Sequence, residues 1–303
     1  DEYRDALSLE LLSARLQAKR TNGQDTIFTL NKLASELKVQ GKFAEAEPLY
    51  REALEGLRET LGSRHPRTLG SIGNLGLLLR TKSDLAAAEP LLREALEGLR
   101  ETLGNRHPNT LTSVSNLGTL LDEKGDLAGA EPLLREALER RRETLGSRHP
   151  STLNSINNLG VLLQAKGDLA AAEPLYCESL EASRATLGNR HPHTLCTINN
   201  LGLLMQEKDD LAAAEPLLLE ALKGRRETLG SRHPHTLTSI NNFRALLQAK
   251  CNLERLAATA TLTPTPAATP VTPRVEMNTD EWHAVTAAEA AQFYATRNAR
   301  ADR

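Results

Sequence analysis

Leu103-Gly104-Asn105-Arg106-His107-Pro108-Asn109-Thr110-Leu111 decides the fold. Its core, Leu-Gly-Ser/Asn-Arg-His-Pro, stands also at Leu61–Pro66, Leu145–Pro150, Leu187–Pro192 and Leu229–Pro234, with starts 42 residues apart each time. A fixed period of that size marks a solenoid, in which each unit packs on its neighbours. In Arg67–Pro108, Leu69, Ile72, Leu75, Gly76 and Leu79 fall at helical spacing and give a first helix (helix A) one apolar face. Lys82-Ser83-Asp84 breaks it, and sister units read Lys-Gly-Asp there. Gly permits the turn, and Asp is placed to cap the next helix.

The second helix (helix B) starts at Leu85 and turns Ala88, Leu92, Ala95, Leu96 and Leu99 inward. Leu103-Gly104 closes it, and Pro108 suits the first position of the next helix A, where a missing N–H costs nothing. Gly76, Ala88 and Ala95 belong where the two helices approach closely. Arg93, Glu97 and Arg100 read as ion-pair partners on the outer face. Pro48, Pro90, Pro132, Pro174 and Pro216 recur inside helix B, which predicts a slight bend but no break.

Asn74-Leu75-Gly76, then Leu79, Ala88, Leu92 and Ala95, resembles the tetratricopeptide repeat. The 42-residue unit, its Leu-Gly-x-x-His-Pro-x-Thr-Leu junction and its Ala-Glu-Pro-Leu look like the kinesin light chain type. The resemblance covers residues 25–250 and implies an all-α fold, a right-handed α-solenoid of stacked helical hairpins. It departs from kinesin light chain in showing no long heptad segment before the repeats, so motor attachment is not carried over. The same unit also occurs in ciliary scaffolds and in sensor arms of signalling ATPases.

Residues 1–20 read as a leading half-repeat, and full units follow at 25–66, 67–108, 109–150, 151–192 and 193–234. A last helix A is expected over 235–250, where Asn242-Phe243-Arg244 replaces Asn-Leu-Gly and the stack is expected to fray. Residues 261–274 form a Pro/Thr/Ala linker by composition. A short helix is expected over 279–298, and both docking on the solenoid end and a loosely ordered tail fit it. The chain opens on Asp1, as a fragment or a processed form would.

In tetratricopeptide arrays the helix A residues on the inner curve contact the partner. The matching positions are Asn74, Asn116, Asn157, Asn158, Asn199, Asn200, Asn241 and Asn242, with Gln164 and Gln206 further along. Arg80, Asp122, Glu123 and Gln248 extend the same face. An amide both donates and accepts, so it suits the backbone of an extended peptide. The rival reading is that these Asn bridge neighbouring helices in every unit. The groove lacks the dense Lys/Arg cluster expected for a strongly acidic peptide.

The function expected is that of a non-catalytic scaffold or adaptor for a protein or peptide, with no cofactor. The alternatives are a sensor arm of a larger signalling NTPase or protease, and a passive spacer. Net charge is −2, which disfavours nucleic acid and anionic membranes as partners. No phosphate loop or Gly-x-Ser-x-Gly elbow occurs, so no catalysis is expected. His65, His107, His149, His191 and His233 recur once per unit, too widely spaced to share one Zn, and read as turn residues rather than a metal site. Cys177, Cys196 and Cys251 show no pairing pattern, which points to reduced thiols and an intracellular, cytoplasmic setting.

Overall fold

A computed structural model describes residues 23–261, with side chains over 27–255. The expectations for 1–20, for the linker beyond Thr261 and for 279–298 lie outside the described residues. Eleven helices are described: α1 (Gly23–Val39), α2 (Phe43–Leu61), α3 (Pro66–Thr81), α4 (Leu85–Leu103), α5 (Pro108–Glu123), α6 (Leu127–Leu145), α7 (Pro150–Ala165), α8 (Leu169–Leu187), α9 (Pro192–Glu207), α10 (Leu211–Leu229) and α11 (Pro234–Thr261). No strand occurs among the described residues. The chain divides into two compact units, one ending at Leu175 and one starting at Tyr176.

In the first unit α1 to α7 pack in chain order, each on the next, and α3, α5 and α7 also touch one another in succession. The seam between the two helices of a hairpin is closed by small residues. A Cβ added at Gly76 would stand 2.9 Å from Leu92 Cδ2, and one at Gly118 would stand 2.8 Å from Leu134 Cδ2. Leu92 and Leu134 are fully buried, so the seam has no room to spare.

Both ends of each hairpin are built locally. The Ala87 N–H donates to Asp84 Oδ1 at 3.1 Å, and the Gly129 N–H to Asp126 Oδ1 at 2.9 Å. Gly125 reaches φ +82° in the turn before Asp126, a left-handed value that favours glycine. At the junction between hairpins the imidazole does more than occupy a turn. The Arg67 N–H donates to His65 Nδ1 at 3.2 Å, and Asn109 to His107 and Ser151 to His149 at 3.1 Å. Each His is thus the N-cap of a helix A, with Pro after it. Buried Thr110 turns its hydroxyl back to the Leu99 carbonyl at 3.3 Å, and Thr152 to the Arg141 carbonyl at 3.4 Å, tying α4 to α5 and α6 to α7.

The helix B prolines leave their helices unbroken. Pro90 and Ala86, whose carbonyl loses its i+4 donor to the proline, are both exposed, so water can take up that acceptor. Outer-face pairing differs from the sequence expectation. Arg93 pairs with Glu89 at 2.7 Å rather than with Glu97, and Arg100 pairs with Glu136 of α6 at 2.6 Å. Glu89 also accepts from Lys124, at the C-terminal end of α5. For Arg100 the partner comes from the stacked neighbour, absent from any reading of one helix, while Arg93 takes the Glu one turn earlier in its own helix.

In the second unit α9, α10 and α11 pack in order and α9 also touches α11. The caps repeat: His193 N–H to His191 Nδ1 at 3.2 Å, His235 N–H to His233 Nδ1 at 3.2 Å and Ala213 N–H to Asp210 Oδ1 at 2.9 Å. The last helix corrects the boundary expected near Lys250, because α11 runs on to Thr261. Lys250-Cys251-Asn252 stands where other units have Lys-Gly-Asp. Gly125, Gly167, Ser83 and Asp209 take a left-handed φ at this register, Cys251 does not, and the helix continues through it. Arg244 is exposed and Phe243 is buried. Among the described residues no helix B follows α11 to press on position 244, so an Arg replaces the Gly there without a clash.

Candidate interaction face

The helix A face is set by the periodicity of α5: Thr112, Asn116, Thr119 and Glu123 remain accessible, while Leu111, Val114, Leu117 and Leu121 are buried. In the first unit Asn74 is exposed, and Asn116 and Asn158 are half-buried. These three stand at the same register of α3, α5 and α7, and the side-chain amide of none of them has a hydrogen-bond partner within the described residues. Asn157 is half-buried and its amide is engaged, as is that of Gln164. At the far end of this face Arg80 Nε pairs with Glu123 at 3.6 Å. Burial pushes the Asp122 carboxyl up.

The second unit treats its asparagines differently. Asn199 is buried, and the Asn242 amide donates to its Oδ1 at 3.0 Å, so this pair bridges α9 and α11. Asn200 is half-buried and engaged, and Asn241 is exposed. Gln206 is half-buried, with an Oε1 that meets no donor.

The first unit also holds a cleft of about 360 Å³ between α1, the end of α2 and α3. Ile27, Phe28, Leu57 and Leu61 line its apolar part, and Asn31, Ser71 and Asn74 its polar rim. Phe28 is 72% exposed, unusual for a Phe in so Leu-rich a protein. Glycine at Gly70 helps leave this space, since sister units carry Thr112, Asn154, Cys196 and Thr238 there.

Sequence reasoning passed over two buried residues of the B helices α6 and α10 that bond to the A helices. Arg141 and Arg225 take the register of Leu57 and Leu99 and are buried, at 6% and 8% exposed. Aligning the units in register was enough to show an Arg in a Leu position. Burial lowers the pKa of both guanidinium groups, and the neighbouring Cys196 partly opposes this for Arg225. The Cys196 thiol is itself pushed up by burial. Among the described residues no group of three or more His, Cys, Asp or Glu could hold a metal ion, and no helix is long and apolar enough to cross a membrane.

The tetratricopeptide repeat model matches this sequence at residues 25–101, 72–143, 123–185 and 151–227. The chain belongs to the tetratricopeptide repeat family. Its neighbours among solved structures include kinesin light chain-like proteins. A putative kinesin light chain from Podosopora anserina with nearly identical repeats is 25% identical, with a TM-score of 0.58, covering 69% of this chain and 98% of its own. BtubC (BKLC) from P. vanneervenii is 22% identical at a TM-score of 0.58, covering 78% of this chain and 99% of its own. The quorum sensor NprR from B. thuringiensis is 17% identical at a TM-score of 0.61, covering 81% of this chain and 64% of its own. No curated protein matches the sequence. The fold is thus a tetratricopeptide solenoid, a type that serves as a non-catalytic interaction scaffold.

Proposed function

We propose that this chain is a scaffold or adaptor that holds an extended peptide or protein segment against its helix A face. The observation that carries this reading is the run Asn74, Asn116 and Asn158, three amides in one register on three successive A helices, each without a partner among the described residues. An amide kept at a surface register and left unpaired by its own fold is available to a backbone N–H or C=O. Solved structures of the same fold support the class of ligand: NprR has been solved with its cognate peptide NprX, and a Rap protein with competence and sporulation factor. Affinity is expected to be about micromolar, as for small transient interfaces.

Asn74→Ala, Asn116→Ala and Asn158→Ala together test it. Peptides selected by the parent chain from a displayed random library should bind the triple variant at least tenfold more weakly, with unchanged circular dichroism and melting. Equal binding by both chains would remove the amide run from recognition.

A further inference from the structure

Among the described residues nothing covers one side of α11, the side that α3, α5 and α9 each turn to the second helix of their hairpin. In a complete hairpin helix B lies over it: Leu69 meets Gly98 of α4, and Gly76 meets Leu92. Leu111, Val114 and Leu121 of α5 are accordingly buried. At the same registers of α11, Leu237 is 40% exposed, against 1% for Leu111, and Ile240 and Leu247 are only half-buried. With half-buried Cys251 they form one narrow apolar stripe, at residues 237, 240, 247 and 251. Arg244 stands in the middle of that stripe. It is exposed and pairs with no carboxylate among the described residues, whereas Lys250 of the same helix pairs with Glu215.

The sequence of residues 279–298 carries the complement. Trp282, Val285 and Phe293 recur at helical spacing, and Glu289 interrupts them on the same side. Each stripe is thus broken once by a charge, and the two charges are opposite. The intervals match for helices that run antiparallel. Ile240 stands four residues before Arg244 and Cys251 seven after it, while Phe293 stands four after Glu289 and Trp282 seven before it. Glu289 on Arg244 therefore sets Phe293 over Ile240, Val285 near Leu247 and Trp282 over Cys251. Each helix B runs in this direction along its helix A. Residues 262–278 span about 50 Å when extended, and the return from Thr261 to the level of Cys251 takes only about 15 Å along α11. The side chains are of the right size as well. Glycine at 76 lets Leu92 approach, but Arg244 holds a covering helix further away, because axis separation follows the side chains at the contact. Large aromatic rings fill such a gap, and a chain with one Trp and four Phe places Trp282 and Phe293 here.

We infer that residues 279–298 close the open side of α11 in the same chain, as an antiparallel helix held in register by Glu289 on Arg244. The ion pair acts chiefly on specificity: any slip along the stripe sets both charges against apolar side chains, so one register is selected. Solenoids cover their apolar ends to stay soluble, and this segment does so for α11. The closed end is thereby withheld from a second copy of the chain. The inference concerns the end of the array alone and holds whether or not the helix A amides take a peptide.

Trp282 is the one tryptophan of this sequence, so fluorescence of the full chain reports on it alone. A synthetic peptide of residues 275–303 gives the reference for a solvated ring. Emission of the full chain should be blue-shifted from that reference, shielded from acrylamide and unchanged on dilution. Arg244→Glu or Glu289→Arg alone sets like charges against each other and should shift the emission back toward that of the peptide. The two together restore the opposite charges and should restore the blue-shifted, shielded emission. Arg244 is exposed, so its variant keeps the fold, which circular dichroism checks. Parent emission equal to that of the peptide would overturn the closure. Shielded emission that neither single reversal moves, or that the double reversal does not restore, would overturn it as well, because Trp282 would then be held without the pair. Emission that reddens on dilution would give the stripe to the tail of a second copy and overturn closure within one chain.

Discussion

The Arg100 guanidinium of α4 lies 2.6 Å from the Glu136 carboxylate of α6, one unit further on. Arg58 reaches Glu94 in the same way at 3.3 Å, and Arg184 reaches Glu220 at 2.7 Å. A second row joins Arg64 to Glu101 at 3.1 Å and Arg106 to Glu143 at 3.4 Å. Lys82, Lys124 and Lys166 close a third row on Glu47, Glu89 and Glu131. Because each partner sits on a different hairpin, these rows set how one hairpin seats on the next. Exposed pairs contribute about 0–1 kcal/mol each and weaken with salt. Glu136→Gln should therefore cost less than about 1 kcal/mol in urea unfolding, and the cost should shrink further in high salt.

Acid should unseat the third row. Hydrogen bonds from Lys124 and then Arg93 hold the Glu89 carboxyl below its ordinary range, and Lys166 and Arg135 do the same for Glu131. A carboxyl whose folded pKa is depressed contributes stability that is complete above the unfolded value, about 4.3. That contribution is lost as pH falls through the lower folded value, since the unfolded chain takes up protons first. Urea midpoints measured from pH 6 down to pH 3 should fall, and Glu89→Gln with Glu131→Gln should flatten that fall. A parent and variant with parallel acid limbs would count against these two carboxyls.

Histidine capping gives a sharper test of the junction. The Asn109 N–H needs a lone pair on His107 Nδ1, and alanine supplies none. His107→Ala should cost about 1 kcal/mol in urea unfolding, within the range for lost N-caps, while His107→Asn should recover most of it. An equal loss in both variants would mean that the imidazole acts by packing rather than by accepting that bond.

The seam at Gly118 should resist any side chain. A Cβ there would meet Leu134 Cδ2 at 2.8 Å and Leu134 Cγ at 2.9 Å. Gly118→Val should cost about 2–3 kcal/mol, because overpacking outweighs the gain from removing a helical glycine. Thermal unfolding of the full chain reads this directly.

Two kinds of asparagine should separate experimentally. Asn242→Ala removes the donor to Asn199 and leaves a buried amide unpaired, so it should destabilise by about 1–2 kcal/mol. Asn116→Ala removes an amide that bonds to nothing among the described residues and should stay within about 0.5 kcal/mol of the parent.

Much of the helical plan was legible because its signals are local. Glycine and aspartate at Gly125 and Asp126, proline at Pro108 and the apolar spacing of Leu111, Val114 and Leu117 act within a few residues of themselves. What escaped was set by neighbours one hairpin away. Arg100 turns to Glu136 of the next hairpin, and nothing within one helix announces that, whereas Arg93 and Glu89 form an i,i+4 pair inside α4. The end of α11 escaped too: Cys251 stands at the register where Gly125, Ser83 and Asp209 turn the chain, and such varied turn residues give no local mark that the turn is lost there. On the candidate face, register located the asparagines, but only the packed structure divides unpaired Asn116 from the bridging pair Asn199 and Asn242.

The junction bonds all span fixed separations, such as 35 residues from Glu89 to Lys124 and 36 from Arg100 to Glu136. Excising residues 109–150 would bring Lys166 to the separation from Glu89 that Lys124 has now, and would rejoin a Pro to a Ser-Thr-Leu start without a new kind of contact. The architecture is therefore modular: an array lengthened or shortened by whole 42-residue steps keeps ready-made joints at every boundary.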